Sequence, residues 1–305
     1  MNTNSEILII VGGSATKLDP FREASANLKI NASFASFSNL NFISDKSSSG
    51  FILKVGDTDI ASYRLIYIRM VGRRVEDATL LMNYANSKGV KIIDSLYQNS
   101  LGLPSSISKA LEMKKLIEAG IPFPQTLFTT LSDLKIKAPE IFGFNFVIKS
   151  TSGKKARDVW APKSADELQQ TIADLLPREK SGDRFFAQEI IKASQRIRTL
   201  LIGGRVVGAI TRSTKYRKRF LRDKEFNVEP EKGPIIPIPD DVNNISISAA
   251  RAVDLDIAGV DILKEDDTGK LYVIEVNAAP SWKLIAKDCH IIVEEEILKY
   301  LVSQI

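Results

Sequence analysis

The hydrophobic positions of the first ninety residues fall into short apolar runs and one segment with helical spacing. The runs EILIIVG (6–12), YRLIYIRM (63–70) and VKIID (90–94) have the length and β-branched content of strands. Between the last two, VEDATLLMNYANSKG (75–89) repeats its apolar residues at helical spacing and ends at glycine, a common C-cap. This alternation predicts an open α/β unit at the N-terminus.

The pattern changes after about residue 105. A helix is predicted within LPSSISKALEMKKLIEAG (103–120), with Ser106 or Ser108 as its N-cap and Gly120 at its end. The later predictions are strands at 144–150 and 184–192, helices at 164–177, 242–256 and 291–305, and hairpins at 198–212 and 257–277. Hairpins favour an antiparallel sheet, so the predicted fold class is α/β followed by α+β.

Composition limits the classes of protein to consider. The chain has 305 residues, 44% hydrophobic and 26% charged, which is typical of one large domain or two to three small ones. Cys289 and His290 are its single cysteine and histidine, which exclude a disulfide within the chain and a histidine-rich metal site. A catalytic pair of these two is disfavoured, because adjacent residues of a helix or strand point in different directions. No apolar run approaches the length of a membrane span, and we expect a cytoplasmic protein.

The net charge of +5 indicates anionic partners without identifying one. Seven of the thirteen residues in RSTKYRKRFLRDK (212–224) are Lys or Arg. Three interpretations of this basic run remain open: a solvated loop, a nucleic-acid-binding patch, or a mobile loop that folds over phosphates.

Two polar residues interrupt the apolar strand predicted in LYVIEVNAAPSW (271–282). Glu275 and Asn277 lie two residues apart, so their side chains share one face of the strand. Burying either side chain is unfavourable unless it has a polar partner. We therefore expect another polar group on that face.

The preceding strand of the same hairpin offers such a group. If a five-residue loop (266–270) joins the strands, Glu265 pairs with Leu271, and the same register places Asp261 directly opposite Glu275. Facing carboxylates destabilise a sheet, and a bound divalent cation removes that conflict. Carboxylate and amide oxygens suit magnesium. The alternative is a register shifted by one, in which Asp261 faces away and Glu275 is a solvated edge residue.

The segments AGVDIL (258–263) and YVIEVNAAP (272–280) resemble the metal-binding end of ATP-grasp carboxylate–amine ligases. The nearest branch is the RimK-like enzymes, which add glutamate to a ribosomal protein. The resemblance covers roughly residues 105–300 and implies an ATP-grasp fold preceded by an open α/β domain. The expected division is an N-terminal domain at 1–104 and an ATP-grasp domain at 105–305, with a lid subdomain at about 125–190.

The resemblance also implies metal ligands, nucleotide contacts and two catalytic arginines. The implied ligands of magnesium, or of manganese in its place, are Asp261, Glu275 and Asn277. The implied nucleotide contacts are Lys109, Lys149, Glu189, Ile190 and Asn227. The implied catalytic residues, which would contact phosphate and acyl phosphate, are Arg198 and Arg212. Strict pairing across Gly203-Gly204 places these two arginines on opposite faces, so a bulge or a shifted register is required for both to serve.

The chain departs from the family pattern in three places. The phosphate-covering loop STSGKKARD (150–158) contains one glycine, where the family usually has more. Arg196 stands where an acidic residue often holds the ribose, which affects the expected nucleotide preference. The segment APSWK (279–283) replaces a glycine-containing one, and Trp282 is assigned either to the acceptor side, with Lys283, or to the core.

The function implied by the resemblance is a magnesium-dependent, ADP-forming ligase. ATP would phosphorylate a substrate carboxylate, and an amine would attack the acyl phosphate to form an amide. The implied partners are ATP and an amino acid, peptide or protein tail, with a homo-oligomer in keeping with the family and neither nucleic acid nor membrane expected. Two alternatives remain open: a macrocyclase that cross-links a ribosomal precursor peptide, and a nucleotide-binding protein without turnover.

Overall fold

The computed structural model describes residues 6–44, 51–99, 108–151, 158–220, 228–229 and 231–305. The elements of the first segment are β1 (Ile7–Val11), α1 (Asp19–Leu28), β2 (Ala32–Ser36), β3 (Leu40–Ser44), β4 (Phe51–Val55), β5 (Thr58–Asp59), β6 (Leu65–Met70), α2 (Val75–Ser87), β7 (Lys91–Ile93) and α3 (Ser95–Asn99). Strands β2, β1, β6 and β7, in that order, form a parallel sheet. The open α/β unit predicted from the alternating pattern is confirmed.

Strand β1 is buried along its whole length, which explains its uninterrupted apolar sequence. Its odd-numbered residues, such as Ile9, pack with α1, and its even-numbered residues, such as Ile10, pack with α2. The sequence pattern missed β2, whose residues ASFAS are small apart from one phenylalanine and show no apolar run. These residues become a strand because each pairs with a residue of β1.

The middle segment forms a second sheet with its own hydrophobic cluster. Its elements are α4 (Lys109–Glu118), β8 (Thr126–Phe128), α5 (Leu131–Phe142), β9 (Phe146–Ser150), β10 (Val159–Trp160), α6 (Ala165–Lys180) and β11 (Phe185–Glu189). The antiparallel sheet has the order β10-β9-β11-β8, and α5 and α6 pack against it. Ser108 is the N-cap of α4, since its hydroxyl accepts a hydrogen bond from the Leu111 N–H. The other candidate cap, Ser106, lies outside the described residues.

The last segment forms an antiparallel sheet with helices on both faces. Its elements are β12 (Gln195–Ile202), β13 (Arg205–Ser213), α7 (Lys215–Phe220), β14 (Gly233–Pro234), α8 (Asp240–Ala252), β15 (Ile257–Lys264), β16 (Leu271–Asn277), α9 (Lys283–Cys289) and α10 (Val293–Val302). The strand order is β14-β13-β12-β15-β16. Helix α8 covers one face, while α9 and α10 cover the other and α10 also packs on α1. One hydrophobic cluster thus joins the first and last sheets.

Two bulges correct the predicted registers. In β12–β13 the register shifts between Leu200 and Leu201, so Arg198 and Arg212 share one face, as the sequence analysis required. In the acidic hairpin Lys264, and not Glu265, pairs with Leu271, so that predicted pairing is wrong. Glu265 belongs to the turn, where its N–H donates to Lys270 O at 2.9 Å.

A register shift between Asp261 and Ile262 then restores the pairing of Asp261 with Glu275. The predicted opposition of the two carboxylates is confirmed, although the loop that joins the strands begins one residue earlier than predicted. Twelve elements were not predicted from the sequence, namely α1, α3, α5, α7, α9, β2, β3, β4, β5, β8, β10 and β14. Within the residues that the structure describes, no helix has the length and apolarity needed to cross a membrane.

Candidate active site

A cavity of about 240 Å³ lies between the middle and last sheets. Part of its wall is apolar and comes from residues such as Met113, Phe123, Phe186 and Leu263. The rest carries charged side chains from α4, β9, β12, α7, β15 and β16. A cavity lined by both apolar and charged side chains suits a ligand that combines an apolar ring with an anionic group.

Most of the predicted site residues meet at this cavity. Those that line it are Lys109, Lys149, Glu189, Ile190, Asp261 and Glu275. Arg198 is connected to it through Asp261, whereas Asn277 and Arg212 are not among its lining residues. Asn227 lies outside the described residues.

Lys109 is held between two carboxylates at the start of α4. Its Nζ lies 2.7 Å from Glu275 Oε1 and 3.1 Å from Glu112 Oε2. Glu112 is only 2% exposed, and its Oε1 accepts a hydrogen bond from the Val276 N–H at 2.7 Å. Burial raises the pKa of Glu112 even though the charge of Lys109 opposes this. Glu112 therefore ties α4 to β16 beside Glu275, a role that sequence analysis missed.

Lys149, near the end of β9, has an amide and not a carboxylate as its hydrogen-bond partner. Its Nζ donates to Gln188 Oε1 at 2.5 Å, and the amide of Gln188 donates in turn to Thr126 Oγ1 at 3.0 Å. Burial lowers the pKa of Lys149 to about 8, against the charge of Glu275 and with that of Lys109. Among the residues in the described ranges no carboxylate forms an ion pair with it, so the site favours an anionic ligand.

Arg198 and Asp261 form a bidentate pair across β12 and β15. Arg198 Nε and Nη2 donate to the two carboxylate oxygens, each at 2.6 Å, and Asp261 is 1% exposed. The hydrogen bond to Asp261 raises the pKa of Arg198. Burial opposes ionisation of Glu275, but Lys109 and then Arg198 bring its pKa below the ordinary value. An ionised Glu275 thus lies opposite Asp261, with a cation next to each carboxylate.

The oxygen donors on this face fit a hard cation. Asp261 and Glu275 oppose each other, and Asn277, opposite Gly259, lies on the same face of β16. Over the described part of the chain, no group of three or more His, Cys, Asp or Glu side chains is arranged for a metal, so the set depends on the Asn277 amide. Arg198 and Lys109 occupy the carboxylates here, and a bound metal would share or replace those contacts.

Arg212 is held by α9 instead of facing the cavity. One guanidinium nitrogen donates to the carboxylate of Asp288, and Nη1 donates to Thr211 O at 2.8 Å. Arg212 therefore lies on the same face of the sheet as Arg198, but its guanidinium is already bonded to Asp288. It would need to exchange Asp288 for a ligand in order to act.

The basic run is described over residues 212–220, which are not a loop, while residues 221–224 lie outside the described ranges. The strand β13 continues to Ser213, and α7 follows directly over 215–220. Lys215 and Arg219 of this helix line the cavity, and Arg217 is buried. The described part of the basic run therefore contributes positive charge to the cavity.

Trp282 belongs to the core. Its ring is 7% exposed and lies edge-on to Phe21, with the Arg69 guanidinium 3.8 Å from the ring centre. Its Nε1 donates to Glu294 Oε1 at 2.8 Å. The assignment of Trp282 to the acceptor side is therefore not supported, because the ring is enclosed between β6, α1 and α10.

Cys289 and His290 do not form a catalytic pair. Cys289 Sγ lies 3.5 Å from Ala209 O, and burial raises the pKa of its thiol. His290 ends α9 in the left-handed region, with a φ of 53°. Both observations agree with a structural role.

Residues 106–301 match the family described as the RimK-like ATP-grasp domain. The chain belongs to this family. A "Probable alpha-L-glutamate ligase" of Mannheimia succiniciproducens is 29% identical over 202 residues, which are 65% of this chain and 64% of the relative. The chain therefore spans just under two thirds of the length of this curated relative.

Solved structures show the same fold over the whole chain. The ATP-grasp ligase PsnB, complexed with a minimal precursor, has a TM-score of 0.72 at 17% identity and covers 99% of this chain and 100% of its own. The macrocyclase MdnC of Microcystis aeruginosa, bound with precursor peptide MdnA, has a TM-score of 0.67 at 15% identity, with coverages of 98% and 100%. The predicted ATP-grasp fold is confirmed.

Proposed function

We propose that this protein is an ATP- and magnesium-dependent carboxylate–amine ligase. The observation that carries the proposal is the opposition of Asp261 and Glu275 in one cavity with Lys109 and Lys149. Carboxylates that hold a cation, next to lysines that attract phosphates, are the arrangement that phosphoryl transfer requires. Membership of the RimK-like ATP-grasp family supports the same reaction class.

The apolar wall of the cavity would take the adenine. Glu189 and Ile190 would contribute mainly backbone groups there, because the Glu189 carboxylate accepts a hydrogen bond from the Gln125 N–H at 2.7 Å. Lys149 and Lys109 would contact the phosphates. Since Lys149 lacks a carboxylate partner among the described side chains, an arriving phosphate would relieve its unfavourable burial.

Asp261, Glu275 and Asn277 would hold magnesium, with manganese an alternative, and the metal when bound would neutralise phosphate charge. Arg198, next to Asp261, would stabilise the negative charge of the transferred group. Arg212 would join it after leaving Asp288.

The reaction would proceed in two steps. A carboxylate oxygen of the first substrate attacks the γ-phosphorus of ATP, and the bond from that phosphorus to the β–γ bridging oxygen breaks, releasing ADP. The amine of the second substrate then attacks the acyl carbon, phosphate leaves, and the nitrogen loses one proton to give the amide. Residues of about 125–190, as a lid, would exclude water from the acyl phosphate.

The proposed substrates are an amino acid, a peptide or a protein tail. Curated relatives carry the name alpha-L-glutamate ligase, which favours an amino-acid substrate. The whole-chain similarity to PsnB and MdnC, both solved with precursor peptides, favours macrocyclisation as a second candidate. We also propose the division into 1–104 and 105–305, supported by the family match from residue 106, and a cytoplasmic location, where ATP is available.

Calorimetric titration of ATP with and without magnesium tests this function. We expect Glu275→Gln to lose the magnesium-dependent part of the affinity, roughly tenfold or more. The matched control is Glu118→Gln, which changes an exposed glutamate on α4 that is bonded to Lys114. Magnesium-independent binding that Glu275→Gln leaves unchanged would contradict the proposal.

ADP formation separates a ligase from a protein that binds nucleotide without turnover. A ligase should release ADP only when a carboxylate substrate, such as L-glutamate or an acidic peptide, is present. Binding of ATP without ADP release from any such substrate would favour the protein without turnover.

A further inference from the structure

Two cations of the cavity, Arg196 and Lys215, lack a hydrogen-bonded carboxylate among the described residues. Neither was assigned a catalytic or binding role from the sequence. Both line the cavity, one from the start of β12 and the other from the first residue of α7. They therefore add two positive charges to a wall that already carries Lys149.

The guanidinium of Arg196 is enclosed but incompletely satisfied. Its side chain is 15% exposed, and Nη1 lies 3.7 Å from Asp261 Oδ2, beyond hydrogen-bonding distance. That carboxylate already accepts two bonds of 2.6 Å from Arg198. The Nε of Arg196 is buried and has no partner within the described ranges. An enclosed guanidinium with an unsatisfied Nε and only a distant ion pair is unfavourable, so an anion at this place would stabilise it.

Lys215 lines the same cavity and is close enough to Arg196 to interact with its charge. Partial desolvation, followed by the positive charge of Arg196, brings the pKa of Lys215 below its ordinary value. The charges of Asp261 and Glu275 oppose this shift, and that of Arg198 adds to it. Two cations that repel each other across a cavity are brought into balance by an anion bound between them.

We propose that Arg196 and Lys215 together bind the β- and γ-phosphates of the nucleotide, in addition to the contacts of Lys109 and Lys149. This inference rests on the proposed function, because it requires ATP in the cavity. The distal phosphates are assigned because the Arg196 guanidinium lies beside Asp261, a proposed ligand of magnesium, and such metals bridge these two phosphates. Arg196 would thus contact phosphate from a position where the family resemblance leads one to expect an acidic residue that binds the ribose.

The test is calorimetric titration of AMP, ADP and ATP, at saturating magnesium, into wild type, Arg196→Gln and Lys215→Gln. We expect Arg196→Gln to raise the Kd for ATP roughly tenfold to a hundredfold, because a buried charge-assisted contact is lost. Lys215→Gln should raise it about threefold to tenfold, since Lys215 lies at the exposed mouth. The Kd for AMP should change less than about twofold in both variants.

Arg205→Gln is the matched control, because it removes an arginine from the same hairpin. The Arg205 side chain is 70% exposed and pairs with Glu296 outside the cavity, so ATP binding should not change. Arg196→Lys keeps the charge but not the planar fork and should fall between wild type and Arg196→Gln. If Arg196→Gln proves unfolded by its thermal transition, Arg196→Lys and Lys215→Gln provide the measurement.

The outcomes separate this inference from the proposed function. Wild type that does not bind ATP would overturn both. Wild type that binds ATP, with Arg196→Gln binding as tightly as Arg205→Gln, would overturn only the role of Arg196. An equal loss for AMP and ATP would also overturn it, because the guanidinium would then contact the ribose or the α-phosphate.

Discussion

Replacing Lys149 by methionine should stabilise the ligand-free protein while weakening ATP binding. The pKa of Lys149 falls from the ordinary 10.5 to about 8 because folding desolvates its ammonium. At about 1.4 kcal/mol per pKa unit, the difference of about 2.5 between these values corresponds to about 3 kcal/mol lost at neutral pH. Methionine also leaves the Gln188 oxygen without its donor, at about 1 kcal/mol. We therefore expect a net gain of about 2 kcal/mol in the free energy of unfolding.

The sign of the pH dependence follows from the lowered pKa. A folded state that binds its proton less tightly than the unfolded state becomes more stable as the pH rises between the two pKa values. The unfavourable contribution of Lys149 is therefore full below pH 8 and decreases from about pH 8 to 10.5. Urea denaturation of ligand-free wild type and Lys149→Met at pH 7 and pH 9.5 should show the advantage of the variant shrinking at the higher pH.

The control variant is Lys114→Met, which changes an exposed lysine of α4 and should alter the free energy of unfolding by less than about 0.5 kcal/mol. Lys149→Met should also bind ATP at least about tenfold more weakly, because a phosphate contact is lost. A variant less stable than wild type at pH 7, or an advantage that does not change with pH, would refute the desolvation of Lys149.

Three further substitutions test other parts of the site. Asp261→Asn should lower the free energy of unfolding by about 3 kcal/mol in urea denaturation, because it breaks a buried bidentate pair with Arg198; an unchanged midpoint would contradict this. Asp288→Asn should release Arg212 and tighten ATP binding about threefold in calorimetry, and equal affinity would indicate that Arg212 does not reach the phosphates. Gly259→Ala would bring a methyl group to 2.7 Å from Cβ of Pro280, the proline that follows β16. This overlap should lower the free energy of unfolding by about 1–3 kcal/mol, and with it the temperature of the thermal transition. An unchanged transition temperature would show that the segment after β16 shifts freely.

The charged side chains of the site compensate one another. Lys109 binds Glu275, and Arg198 binds Asp261, where phosphates and metal are proposed to bind. These pairs hold each side chain near the place where it is proposed to act. Binding would exchange one set of ion pairs for another, so the free energy gained from the ligand is the difference between them.

Local patterns in the sequence were sufficient for the parts of the fold that depend on neighbouring residues. The alternation around Glu275 and the hairpin turn expected at residues 266–270 were enough to predict that Asp261 lies opposite Glu275. The last pair before the turn is Lys264 with Leu271, one residue earlier on the first strand than predicted. Ser108 was identified as a candidate cap from its place before an apolar helix, and it caps α4. Such features are predictable because a strand repeats every two residues and a cap acts within one turn.

The tertiary structure alone decided which polar groups from distant parts of the chain meet. Glu112 reaches the N–H of Val276, 164 residues away, and Arg212 binds Asp288, 76 residues away. No periodicity in either segment reports these contacts, because they arise when α4 and α9 pack against distant strands. The bulge that places Arg198 and Arg212 on one face is likewise a property of how β12 pairs with β13. The sequence by itself determined part of the helices and strands and the acidic hairpin, whereas long-range packing determined the partners and the burial of each charged group, and with them its pKa.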